Sequence, residues 1–203
     1  MFIAHRGITI GEIEENSISS FKLAINDSKF MGFECDVRES LDHHFIINHD
    51  AIYKNNIIKY KNKDELTKLG LTTLEEVLNL DTNKIIMLEI KDFNCDLKSL
   101  AYKLNKANKN IYVTSFSKEV IKKIKKYAIN FKCGVLNYIF NSESNYNNYD
   151  FICLLNSTIT SDIISYFSKR NIEIFSYGIV NLNKKEPNIY YIVDNDAKFM
   201  LKY

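Results

Sequence analysis

The chain has 203 residues, 46% hydrophobic and 26% charged, a balance that excludes an extended disordered protein and a collagen-like one. Its formal charge of +2, from 27 Lys and Arg against 25 Asp and Glu, is too small to imply a polyanionic partner, so nucleic acid is not expected. No apolar run approaches the roughly 20 residues of a membrane-crossing helix. The opening MFIAHRG also lacks the basic and then apolar order of an export signal, so a cytoplasmic protein without a membrane span is expected.

Taken in chain order, short apolar and β-branched runs alternate with segments whose apolar residues fall three and four apart. The first predicted strand is Phe2 to Ala4, followed by a helix over Ser17 to Ser28. A strand over Gly32 to Val37 comes next, and a short extra strand, Phe45 to Asn48, follows too closely for a crossover helix to intervene; it predicts a hairpin-like excursion. Helix Leu74 to Leu80 then leads to strand Lys84 to Ile90, helix Leu97 to Ala107 to strand Ile111 to Thr114, and helix Lys118 to Ala128 to strand Phe131 to Leu136. Asn141 to Tyr149 is a polar loop. Strand Phe151 to Leu155, helix Ser161 to Lys169, strands Glu173 to Ser176 and Tyr190 to Val193, and a helix over Asp196 to Tyr203 complete the series.

Repeated strand and helix predict a parallel sheet with helices outside. Eight strands are the number that closes into a (β/α)8 barrel, and 203 residues lie at the short end of what that fold requires, so residues 1–203 are read as one compact barrel domain. Cys35, Cys95, Cys133 and Cys153 are far apart and form no CxxC or Cys/His pair, which argues against zinc or a redox dithiol.

Active sites of such barrels are built at the C-terminal ends of the strands. There the sequence places His5, Arg6 and Gly7 after the first strand, Glu34 and Asp36 on the second, His49 and Asp50 after the extra strand, and Glu89 and Lys91 on the third. Residues two apart on a strand share a face. If that face is the interior, Glu34, Asp36 and Glu89 converge, and their repulsion would cost several kcal/mol without a cation. Three hard oxygen ligands, with the intervening Cys35 directed to the opposite face, predict one divalent ion, Mg²⁺ or Ca²⁺. Arg6 and Lys91 bring fixed positive charge that suits a phosphate, and His5 and His49 are placed to act as acid and base near neutral pH.

The segments IAHRG, EENS, FECDVRES, IINHD, TTLEEVL and MLEIK, in this order and spacing, resemble the glycerophosphodiester phosphodiesterase family through about residue 120, and VTSF resembles that family's fourth strand. The resemblance implies a (β/α)8 barrel, an enzyme of lipid and glycerol metabolism that hydrolyses a small-molecule phosphodiester to sn-glycerol 3-phosphate and an alcohol. A cyclic phosphate formed by a neighbouring substrate hydroxyl would be the intermediate. By the same resemblance Glu34, Asp36 and Glu89 bind the metal, His5 and His49 are catalytic, Arg6 and Lys91 hold phosphate, and Glu15 lines the site. His5 would deprotonate the nucleophile and His49 protonate the leaving oxygen.

Past residue 120 the likeness thins. The family's closing Thr-Asp-x-Pro is represented by Ile192-Val193-Asp194-Asn195-Asp196 without a proline, and Ala51 to Asn62 offers only lysines where the family often has an arginine. Two other readings follow: a phosphodiesterase of lysophospholipase D type, and an inactive barrel that binds a phosphate-bearing ligand or partner. Phe116 is a candidate wall for an apolar part of the substrate. His43 and His44 are read as turn residues, and Lys122 to Lys126 as the solvated face of a helix. The sequence leaves the oligomeric state open.

Overall fold

The computed structural model describes residues 1–179 and 185–194. The predicted helix over Asp196 to Tyr203 lies outside the described residues.

The elements, in chain order, are β1 (Phe2–Ala4), α1 (Ile18–Asn26), β2 (Phe30–Glu39), β3 (Phe45–Ile47), β4 (Ile52–Tyr53), β5 (Asn56–Ile57), α2 (Lys63–Lys68), β6 (Thr72–Thr73), α3 (Leu74–Leu78), β7 (Ile85–Ile90), α4 (Leu97–Lys106), β8 (Ile111–Ser115), α5 (Lys118–Lys125), β9 (Phe131–Asn137), β10 (Phe151–Leu155), α6 (Ser161–Ser168), β11 (Glu173–Tyr177) and β12 (Ile189–Val193). Strands β1, β2, β7, β8, β9, β10, β11 and β12 pair in parallel in that order, and β12 returns to β1. The sheet is closed, a (β/α)8 barrel.

Alternation along each strand divides the apolar residues into two sets, as the period of a strand requires. Ile3, Ile85, Met87, Tyr112, Leu136, Phe151, Cys153, Phe175 and Ile192 pack together inside the barrel. The alternate strand residues, among them Phe33, Cys35, Leu88, Val113 and Ile174, face outward onto the helices. On α5 the buried residues are Val120, Ile121 and Ile124, which leaves Lys122 and Lys123 exposed as the spacing predicts. All four cysteines are free, and burial pushes the Cys95 thiol up to about 12.

At the N-terminal mouth the interior is closed by Tyr112, Lys132 and Glu173: Lys132 Nζ lies 2.6 Å from Glu173 Oε2 and donates to Tyr112 Oη at 2.8 Å. These three side chains satisfy one another, so that end is a plug.

Among the fully described connections, two stretches depart from a plain strand and helix repeat. Between β2 and β7 the chain runs out through β3, which pairs antiparallel with the end of β2, then through the β4–β5 hairpin, α2 and β6, which pairs with β3. This is the predicted excursion, with a small core of its own from Ile46, Ile58, Leu66 and Leu71. Between β9 and β10 a loop replaces the crossover helix. Tyr146, 1% exposed, stacks on Phe140 at 5.6 Å and meets the edge of Phe167 at 5.2 Å, so aromatic side chains cover the barrel where a helix would. Loop composition conceals this role because the residues between the aromatics are Asn, Ser and Glu.

Barrel closure depends on close contact between β2 and β7 at Gly32, where a Cβ would lie 2.1 Å from the carbonyl oxygen of Ile85. Both groups are backbone, so neither can move aside cheaply. Gly32→Ala is expected to destabilise the protein by about 1–3 kcal/mol through overpacking. A thermal melt would show the midpoint fall by about 2–4 °C for each kcal/mol.

Candidate active site

The site forms where β1, β2 and β7 end. After β1 the chain turns sharply: Arg6 and Gly7 have φ of +54° and +84°, and a Cβ on Gly7 would meet Ser20 Oγ at 2.4 Å. The turn is held from α1, where Ser20 Oγ donates to the Arg6 carbonyl at 3.1 Å. It directs the Arg6 amide onto Glu34 Oε2 at 3.1 Å. Asn16 closes the same loop from the other end. Its amide N–H donates to the Arg6 carbonyl at 2.9 Å, while its side chain donates to Asp36 Oδ2 at 2.9 Å and accepts from the Asp36 amide at 3.2 Å.

Glu34 and Asp36 point inward from β2, and Glu89 points inward from β7, with Asp36 and Glu89 directly paired across the two strands. They are 4%, 1% and 8% exposed. Each can offer an oxygen so that all three atoms lie within 4.8 Å of one another. Two cations partly balance them. Arg6 Nε and Lys91 Nζ each lie 3.3 Å from Asp36, and Lys91 is also 2.8 Å from Glu89. Three carboxylates against two cations leave one negative charge over. Burial pushes Glu34 well above the usual carboxylate range, reinforced by Asp36 and Glu89. Glu89 is also raised by burial, with Lys91 opposing. Burial alone would weaken the protonation of Arg6 and Lys91, yet the facing carboxylates outweigh it and raise both.

A divalent cation fits this donor set. Oε1 of Glu34 is buried and has no hydrogen-bond partner among the described residues. A charged oxygen in that position is costly unless a cation or a proton meets it.

The two histidines flank the mouth and line the same cavity of about 160 Å³, together with Arg6, Glu34, Glu89 and Lys91. His5 Nδ1 is 2.5 Å from Asp194 Oδ1, and His49 Nδ1 is 2.8 Å from Asp50 Oδ1. In both rings a carboxylate on Nδ1 leaves Nε2 as the working nitrogen. The hydrogen bond to His5 lowers the pKa of Asp194, and that to His49 lowers the pKa of Asp50. The loop bearing His49 is anchored by Arg38, whose Nε and Nη2 donate to the His49 carbonyl at 3.0 and 2.6 Å while Nη1 meets Asp92 at 2.5 Å.

Glu15 is exposed and accepts from Arg6 Nη1 at 2.8 Å, so it holds the arginine from outside the cavity. Phe116 does line the cavity, 5.1 Å from Tyr138 and edge-on to Tyr177 at 6.4 Å. The reading of single residues missed Arg38 and Asn16 as anchors, although both lie inside the motifs FECDVRES and EENS. Asp194 stood out only as the remnant of an altered terminal motif. A positive φ and a bond to a backbone carbonyl leave no trace in composition.

The raised pKa of Glu34 makes a definite prediction for protein stripped of metal. Folding favours its protonated form, so that contribution is present below the unfolded carboxylate pKa and is lost as pH rises through the folded value. Glu34→Gln mimics the protonated acid. The variant should melt above the parent at pH 8, and the difference should shrink as pH falls through the unfolded carboxylate range.

No family model matches the sequence, and no curated protein matches it. Solved structures do. The chain is similar to a glycerophosphodiester phosphodiesterase from Thermotoga maritima, with 22% identity and a TM-score of 0.76 over 99% of this chain and 96% of that one. It is also similar to a phosphodiesterase from Oleispira antarctica, in complex with the product sn-glycerol-3-phosphate, with 16% identity and a TM-score of 0.81 over 98% and 95%. A glycerophosphodiester phosphodiesterase from Agrobacterium tumefaciens matches at 17% identity with a TM-score of 0.72 over 96% and 94%. The chain therefore shares a whole (β/α)8 barrel, end to end, with structures of glycerophosphodiester phosphodiesterases.

Proposed function

We propose that this chain is a metal-dependent phosphoric diester hydrolase that cleaves a glycerophosphodiester to sn-glycerol 3-phosphate and an alcohol. One observation carries the reading: three buried carboxylates, one with an oxygen that has no hydrogen-bond partner among the described residues, meet at the C-terminal mouth of a barrel beside two cations and two histidines. The Oleispira antarctica relative in complex with sn-glycerol-3-phosphate supports the substrate class.

Glu34, Asp36 and Glu89 would hold one Mg²⁺ or Ca²⁺, a choice dictated by an all-oxygen donor set. When bound, the ion supplies positive charge against which a phosphate oxygen is stabilised. Arg6 and Lys91 are the protein's own phosphate-binding cations. In this structure Lys91 leans on Asp36 and Glu89, so a second cation among those carboxylates would free its ammonium for the diester.

His5 Nε2 takes the proton from the attacking hydroxyl, and Asp194 on Nδ1 holds the ring in the tautomer that can accept it. The oxygen that has lost its proton forms a new bond to phosphorus. His49 gives a proton to the departing alcohol oxygen as its bond to phosphorus breaks. Where the nucleophile is the neighbouring hydroxyl of the glycerol itself, the cyclic phosphate that results is opened by water with the histidine roles exchanged.

Hydrolysis of glycerophosphodiesters should require Mg²⁺ or Ca²⁺, stop on chelation, and resume when the ion is returned. His5→Ala and His49→Ala should each lower kcat about 10²–10⁴-fold while melting like the parent. Turnover that survives chelation, or a His5→Ala variant as active as the parent, would refute the reading. Asp194→Asn should reduce kcat at least about tenfold with KM little changed, because it alters the tautomer and orientation of His5 and leaves the phosphate contacts intact.

A further inference from the structure

The cavity at the barrel mouth has two chemically distinct halves. His5, Arg6, Glu34, His49, Glu89 and Lys91 make one half polar and charged, whereas Met87, Phe116, Leu136, Tyr177 and Ile192 make the other apolar. Thr114, on β8, stands at the seam. It is paired across the sheet with Glu89 on one side and with Gly134 on the other. It also lines the cavity, yet its residue is 1% exposed and its Oγ1 has no hydrogen-bond partner among the described residues. The adjacent Ser115 hydroxyl, by contrast, faces outward and donates to the Ile90 carbonyl at 2.9 Å.

A buried hydroxyl without a partner costs free energy, and a valine would fill the same space without that cost. Its place between the charged and the apolar lining of the cavity means that a molecule touching both passes this residue. We propose that Thr114 is a substrate-positioning residue whose hydroxyl pairs with a hydroxyl of the glycerol unit, next to the phosphate, and so selects phosphate esters of a polyol over phosphate alone. The inference rests on the proposed glycerophosphodiester reading. It adds the group that recognises the alcohol side of the ester. Phe116 and Tyr177 then cover the carbon face of the same unit, which has no charge to meet.

The test uses two ligands that differ only in the glycerol unit, sn-glycerol 3-phosphate and inorganic phosphate, titrated calorimetrically into the protein with Mg²⁺ present. Thr114→Val should weaken sn-glycerol 3-phosphate about tenfold, the worth of one hydrogen bond to a neutral group, and leave inorganic phosphate within about twofold. Thr114→Ser, which keeps the hydroxyl, should bind sn-glycerol 3-phosphate within about threefold of the parent. Thr114→Val should also melt no lower than the parent, which separates loss of recognition from loss of fold. Equal weakening of both ligands, or unchanged binding of sn-glycerol 3-phosphate, would overturn the proposal; a bound water would then be the partner of Oγ1. If neither ligand binds the parent protein, the glycerophosphodiester reading fails and the Thr114 assignment with it. If sn-glycerol 3-phosphate binds with the expected Thr114 dependence but no diester is cleaved, the reaction fails and the recognition role stands.

Discussion

Three carboxylates facing one another inside a closed barrel are the constraint around which the rest of the site is organised. Two come from β2 and one from its neighbour β7, and a parallel register that pairs Asp36 with Glu89 gives them no room to separate. Burial and mutual repulsion favour protons on Glu34 and Glu89, while Arg6 and Lys91 hold Asp36 between them. The arrangement is an electrostatic conflict resolved in part by protein cations. It is retained on the stiffest part of the fold, where strands hold the oxygens close without loop motion.

The loops around that centre are tied down by groups with no chemistry of their own. Arg6 reaches Asp36 because the chain after β1 accepts two successive residues in the left-handed region, and because Ser20 and Asn16 both bond to the Arg6 carbonyl. Such backbone is uncommon outside glycine and persists where the surroundings over-determine it. Arg38 does the equivalent on the opposite side. Its fork takes the His49 carbonyl and Asp92 together, linking the excursion after β2 to the turn that follows Lys91. A lysine could not make both contacts, because it lacks the planar set of donors.

The barrel is asymmetric along its axis and around it. At the N-terminal end, Tyr112, Lys132 and Glu173 satisfy one another and close the interior; at the C-terminal end, polar groups are left with unused bonding capacity, which is where a ligand can gain free energy. Around the mouth, the charged groups come from residues on or next to β1, β2, β3 and β7, while Met87 of β7 and residues on or next to β8, β9, β11 and β12 supply the apolar lining. The second half of the chain thus shapes the part of the cavity that would meet the alcohol. It is also the half in which the sequence departs most from the family it resembles. No helix among the described residues is long and apolar enough to cross a membrane.

The barrel and its acidic centre were legible in the sequence because both follow from short-range periodicity. Eight apolar runs at strand length mark the staves, and the spacing of Glu34 to Asp36 and of Glu89 to Lys91 puts each pair on one face whatever the distant contacts are. The sequence also marked β3 as an excursion, since too few residues separate it from β2 for a crossover. Tertiary structure alone decided which acids and bases meet. Asp194 is 189 positions from His5, and barrel closure, through pairing of β1 with β12, is what brings it to the ring nitrogen. Closure likewise left the Thr114 hydroxyl without a partner among the described residues, and folding put Tyr146 in place of a helix. These are long-range consequences of closing the sheet, and a residue's type and spacing carry no information about a neighbour supplied from the other end of the chain.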